Sequence, residues 1–395
     1  MRRILLATAA TFAAGTAFAD GHSPVKLGVS LGFTGPLESM AVDMAAGAEM
    51  AMQEVSESGA LLDGVTVEPV RADSTCIDAA AATAAAERLV TSDGVVGIVG
   101  GMCSGETGAT LQNVALPNGI VMISPSATSP GLSTVEDNGL FFRTSPSDAR
   151  QGVVMAEAMM DQGIETVAVT YTNNDYGKGL ADAFQAAFEE RGGTVTINAA
   201  HEDNKADYSA EVGALSAAGG DMLVVAGYVD SGGSGITRAA LDTGAFDRFY
   251  FPDGMVGTQL VSNFGAEIDG SMGANPSPSE ELADRFGDLV GDAFNPTGAF
   301  APEAYDAAAL IMLAMQAAGS TDPETYKEEV LNVANEPGEA IYPGELAKGL
   351  QILADGGEID YVGATGVELI GPGEAAGNYR EITFEGGEEK VVGYR

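Results

Sequence analysis

Apolar and polar positions along this chain fall into a block that repeats. A short apolar run comes first, then a turn bearing glycine, then a longer stretch with apolar residues at helical spacing. Val25 to Leu31, Val65 to Arg71 and Val95 to Val99 read as strands. Ser39 to Ser58 and the alanine-rich Ala79 to Val90 read as helices between them. The stretch Val95–Pro130 organises this half. The strand ends in Gly100-Gly101, Ser104 stands at a helix N-cap position before Thr107–Ala115, and a second apolar run, Ile120–Ile123, leads into Ser124-Pro125-Ser126-Ala127-Thr128. Phe141–Thr144 leads to Ser145-Pro146-Ser147-Asp148, a helix start with proline in the first turn.

The alternation then begins again. Strands are expected at Thr166–Tyr171, Thr194–Asn198, Met222–Ala226 and Phe249–Phe251, with helices over Gln151–Asp161, Gly177–Arg191, Tyr208–Ala218 and Ile236–Thr243. Helices are also expected over Ser279–Val290, Ala301–Ala318 and Pro323–Val333, and strands and turns from Tyr361 to Arg395. The fold class is therefore α/β, with two doubly wound, Rossmann-like lobes. Facing each other, they would bring their strand ends to a shared cleft that closes over a small ligand.

Charge and the two ends of the chain narrow the setting. Arg2 and Arg3, the apolar run Ile4–Ala14 and Ala17-Phe18-Ala19 form a secretory leader, with cleavage before Asp20. No cysteine sits at the cut and no later stretch is apolar enough to span a membrane, so an exported chain without a membrane anchor is expected. The formal net charge is −39, from 18 basic and 57 acidic residues, and two of the basic ones leave with the leader. Such a surface repels nucleic acid and anionic lipid. Cys76 and Cys103 are the only cysteines. An oxidising compartment permits a bridge between them; two buried thiols are the alternative.

Ser104 and Thr128, at the ends of two adjacent parallel strands, would share one rim of the sheet. Free backbone N–H groups and the helix dipole favour an anion there, so the rim reads as a carboxylate site. Each residue also has a plain local role, Ser104 as an N-cap and Thr128 as a turn cap.

With these stretches in place, the chain resembles the periplasmic leucine/isoleucine/valine-binding proteins of ABC importers. The resemblance runs through Gly35-Pro36, Cys76, Gly100 to Gly105, Ser126-Ala127-Thr128 and Phe142-Arg143-Thr144. It continues through Asp175-Tyr176-Gly177, Gly227-Tyr228, Asp253-Gly254, Gly298-Ala299-Phe300 and Ala304-Tyr305-Asp306-Ala307. It implies a type I periplasmic binding fold whose lobes are joined by three crossovers, near Thr144, Gly273 and Leu369. The leader is then residues 1–19, one lobe 20–144 with 274–369, and the other 145–273 with 370–395.

The resemblance also implies a job: a periplasmic monomer that captures a small neutral amino acid, branched-chain or aliphatic, and delivers it to an inner-membrane ABC permease. It needs no cofactor and no metal. Ser104 and Thr128 look like donors to the ligand carboxylate, Ala127 like a backbone contact, and Asp253 like the partner of the ligand ammonium. Tyr176 and Tyr228 look like aromatics closing from the second lobe, Phe300 like a side-chain wall, and Met40 stands where relatives carry an aromatic. Cys76 and Cys103 match the family's disulfide. Glu106, just inside the helix that would hold the carboxylate, complements the dipole if it points outward and repels an anion if it points inward. Asp148 fits a helix-cap role.

Other readings keep the binding role and change the ligand to an amide, urea or an aromatic carboxylate. Two more make the chain an exported hydrolase or a sensor domain. For a hydrolase, Gly101-Met102-Cys103-Ser104-Gly105 lacks the Gly-x-Ser-x-Gly elbow, and neither His22 nor His201 is placed as a triad base.

Overall fold

The computed structural model describes residues 23–395, so the expected leader and His22 lie outside the described residues. Two seven-stranded sheets are present. The first contains β1 (Val25–Leu31), β2 (Val67–Asp73), β3 (Ile98–Gly100), β4 (Met122–Ser124) and β5 (Phe141–Arg143). The second contains β6 (Thr166–Thr172), β7 (Thr194–His201), β8 (Met222–Ala226), β9 (Phe249–Phe251) and β10 (Met272–Pro276). A small parallel pair, β11 (Glu339–Ile341) and β12 (Ile359–Tyr361), stands apart. Then β13 (Leu369–Ile370) and β14 (Glu374–Ala375) return to the first sheet, while β15 (Tyr379–Glu385) and β16 (Glu388–Tyr394) complete the second.

Strand order is β13-β14-β5-β4-β3-β1-β2 in one sheet and β16-β15-β10-β9-β8-β6-β7 in the other. Both cores are parallel, and the direction of winding reverses between β1 and β3 and again between β6 and β8. Crevices at such reversals, outside the carboxyl ends of the strands, are where open α/β sheets bind ligands. The turns after β1, β3 and β4 face those after β6, β8 and β9 across the cleft.

Gly273 lies inside β10, paired with Phe251 and Ile382, and Leu369 lies inside β13. The strands therefore change sheet after Pro276 and after Ala375, a few residues later than the positions the resemblance implies. β13 and β14 have only two residues each, too few for a period-two pattern to show.

The helix Glu38–Ser58 packs on the helix Ala301–Ala318, which is buried from Ala301 through Met315. The approach is close enough that a Cβ on Gly47 would stand 2.3 Å from the Ala301 carbonyl oxygen. This pair fixes the floor beneath the β1 turn and Phe300.

Cys76 and Cys103 are bridged, with Cα atoms 5.1 Å apart. The bridge ties the turn after β2 to the residue preceding Ser104. Replacing both cysteines by serine should lower the unfolding free energy by about 3–4 kcal/mol for this 27-residue separation, read from urea curves of both proteins without reductant.

Candidate functional site

The turn after β3 sets the first half of the site. Cys103, not Ser104, is the N-cap, with φ −109° and ψ 144°, and a helical run continues from Ser104 through Asn118. Glu106 turns back on this turn. Its Oε1 accepts from the N–H groups of Met102 (2.7 Å) and Cys103 (3.1 Å) and from the Ser74 hydroxyl (3.1 Å). Gly101 has to be glycine here, since a Cβ would lie 2.5 Å from that carboxylate. Burial pushes the Glu106 carboxyl up to about 7. Glu106 thus points neither to solvent nor at a ligand: it occupies two N–H groups itself. The Ser104 and Gly105 N–H groups, in the first turn, lack an intrahelical acceptor.

Ser104 lines a cavity between the lobes with Leu37, Met102, Cys103, Ser126 and Phe300 from the first, and Tyr176, Tyr228, Asp253 and Gly254 from the second. Its volume is about 10 Å³, room for about one water, so the lobes stand closed on it. The Ser104 oxygen accepts from the Ser129 N–H (3.0 Å), which leaves its proton to donate into the cavity. The Ser126 hydroxyl donates to the Met102 carbonyl (2.8 Å).

Three of the expected contacts sit elsewhere. The Ala127 N–H donates to the Ser124 hydroxyl, and its carbonyl accepts from the buried Arg143 guanidinium, so both its main-chain polar groups are engaged. The Thr128 hydroxyl donates to Asp148 Oδ2 (3.0 Å) rather than into the cavity. Met40 lines a wider opening beside the cavity, with Val229, Val256, Gly257, Asp43 and Arg380.

The second half is aromatic and acidic. Tyr176, in the first turn of the helix Asp175–Glu190, donates its hydroxyl to Asp253 Oδ1 (2.6 Å) and accepts from the Gly254 N–H (3.1 Å). Tyr228 stacks on it, with ring centroids 5.3 Å apart. Asp253 follows β9 and is 2% exposed. Asp148 is fully buried; Ser147 provides the cap of its helix, so Asp148 is not the capping residue. Its Oδ1 has no partner among the described residues. Burial first, and then the Asp253 charge, push the Asp148 carboxyl well above the usual carboxylate range, against the Thr128 bond and Arg143. Burial likewise raises Asp253, although Tyr176 and the Gln151 amide oppose it. Arg143 is committed elsewhere, to the carbonyls of Ala127 and Ser129, the Ser133 hydroxyl and Glu374. Sequence reading singled out Asp253 but not its coupling to Asp148, and it missed Leu37, Met102 and Ser126 as lining residues.

Phe300 walls the cavity from a left-handed backbone, φ 62° and ψ 10°, at the N-cap of its helix. A bulky residue there is strained by about 1–3 kcal/mol. Phe300→Gly should therefore be more stable than Phe300→Ala by about 1 kcal/mol in urea unfolding, since both lose the ring and only glycine relaxes at that φ.

The residues from 24 to 339 match the family described as "Periplasmic binding protein". The leucine-, isoleucine-, valine-, threonine- and alanine-binding protein of Pseudomonas aeruginosa is 30% identical over 313 residues, 77% of this chain and 81% of the relative. A leucine-binding protein from Thermotoga maritima superposes with a TM-score of 0.79 at 23% identity, covering 94% of this chain and 98% of that one. A solute-binding protein of an ABC transporter from R. palustris, solved with benzoate, gives 0.75 at 17% identity, covering 94% and 96%. These matches and the two-lobe fold agree: the chain belongs to the periplasmic binding protein family, together with its leucine/isoleucine/valine-binding relatives.

Proposed function

We propose that this chain is the periplasmic receptor of an ABC importer, which captures a small neutral amino acid between its lobes and delivers it to the permease without turnover. One observation carries the choice of a zwitterion. Asp253 lines the same cavity as the Ser104 hydroxyl and its helix N-terminus, and its charge couples to the fully buried Asp148 behind it, whose Oδ1 has no partner among the described residues. A zwitterion leaving water needs a partner at each end. The helix start and Ser104 serve the carboxylate, and the acidic pair serves the ammonium. Tyr228, Leu37, Met102 and Phe300 surround the side chain.

In this reading the first lobe runs through Thr144 and resumes from Ser277 to Ala375, the second lobe holds the rest, and a monomer opens by hinge motion at the three passages. No helix among the described residues is long and apolar enough to cross a membrane. The second reading, an aromatic carboxylate as ligand, draws on the benzoate-bound neighbour. It leaves the acidic pair without a counter-charge.

Titration calorimetry with leucine, isoleucine, valine, alanine, threonine and benzoate decides between them. Heat from at least one of the amino acids and none from benzoate supports the first reading. Benzoate binding alone favours the second.

A further inference from the structure

We propose that Asp230 is a latch that holds the lobes shut by capping a helix of the opposite lobe, an inference that rests on the binding role above. The helix Glu38–Ser58 begins without a cap of its own: its N-cap residue is Leu37, and no side chain of its own segment accepts from the first turn. The Ser39 N–H instead donates to Asp230 Oδ2 across the cleft, at 2.9 Å. The Asp230 N–H in turn donates to the Pro36 carbonyl, at 3.1 Å. Two bonds of opposite sense thus clamp the Pro36–Ser39 turn of the first lobe to the turn after β8 of the second.

A carboxylate at a helix start satisfies an orphan donor and meets the positive end of the helix dipole. Here that favourable contact exists only when the lobes meet. When they part, the helix start loses its acceptor to water and Asp230 becomes an ordinary surface carboxylate.

The turn that carries the latch also carries part of the cavity wall. Tyr228 stacks on Tyr176 over the site, and the Val229 N–H bonds to the Gly254 carbonyl, joining this turn to the one that holds Asp253. A ligand seated against Tyr228 and Asp253 therefore braces the segment that positions Asp230. Asp230 does not line the cavity. It is a positioning residue, acting on the lifetime of the closed state rather than on ligand chemistry.

The test compares wild type, Asp230→Ala and Asp230→Asn in the full protein. Leucine on- and off-rates are read by stopped-flow tyrosine fluorescence, and exchange of the Ser39 amide by hydrogen–deuterium mass spectrometry. Asp230→Ala should leave the on-rate unchanged and raise the off-rate about fivefold, the loss expected for a missing helix cap. Ser39 exchange should rise with it. Asp230→Asn, whose amide oxygen still accepts from Ser39, should stay near wild type in both. Equal Ser39 exchange in wild type and Asp230→Ala, both unliganded and leucine-saturated, overturns the latch. So does an unchanged off-rate with a lowered urea midpoint, which marks a merely structural cap. Failure of leucine to bind wild type removes the leucine reading instead, and the same off-rate and Ser39 exchange comparison, made with whichever other amino acid or benzoate binds, then decides the latch.

Discussion

Asp253→Asn should weaken leucine binding by about two to four orders of magnitude while raising the thermal midpoint of the unliganded protein. The two effects share one cause. Asp253 is buried beside Asp148, and neither carboxyl faces an uncommitted cation. In the empty protein this pair is a liability, because burial and mutual repulsion both oppose charge. Asparagine keeps the shape, and its amide oxygen can still accept from the Tyr176 hydroxyl, so the substitution removes the liability and little else. In the proposed complex the same carboxylate is the ligand's counter-charge, and losing one partner of a buried pair typically costs about 3–5 kcal/mol. Titration calorimetry and scanning calorimetry on the two proteins read both sides. Leucine affinity within a factor of two of wild type would show that the ammonium does not meet this carboxyl.

The sequence made the rims legible because glycine, serine and aspartate cluster where strands end, and these are local signals. Ser104, Tyr176, Tyr228, Asp253 and Phe300 come from five separate turns or helix starts, yet all line one cavity. What stayed hidden was decided by long-range contact. Ser145-Pro146-Ser147-Asp148 reads as a helix start, and it is one, but nothing local says that Ser147 takes the cap and leaves Asp148 to face Asp253. Thr128 lies on the expected rim, yet its hydroxyl turns to that same Asp148. Glu106 posed a choice between outward and inward; it took a third course, folding back on Met102 and Cys103, because the turn offered two unpaired N–H groups close by. Ala127 was expected to offer backbone to a ligand, and Ser124 and Arg143 had already claimed it. In each case the side chain chose a partner distant in sequence or a main-chain group exposed by the turn, and hydrophobic periodicity records neither.

Acidity should move stability and binding in opposite directions. Burial holds Glu106 at about 7, Glu303 at about 8 and Asp306 at about 6, all above their ordinary values of 4.5, 4.5 and 3.8. A carboxyl with a raised folded value binds more protons in the folded than in the unfolded chain, so its stabilising share is complete below the unfolded value and fades as pH climbs through the folded one. The unliganded protein should lose a few kcal/mol of unfolding free energy between about pH 5 and about pH 8. Self-repulsion of a chain with formal charge −39 works in the same direction. In the proposed complex leucine should reverse the sign at the acidic pair. An ammonium beside Asp148 and Asp253 favours their charged forms, so binding expels protons wherever the empty pair retains them, and affinity rises with pH through that range. Scanning calorimetry across this window should show the empty midpoint falling while the increment added by leucine grows. Titrations in two buffers of different ionisation enthalpy count the protons released. Proton uptake on binding would contradict an ammonium seated at the acidic pair, and a midpoint that climbs with pH would contradict the buried carboxyls as the controlling groups.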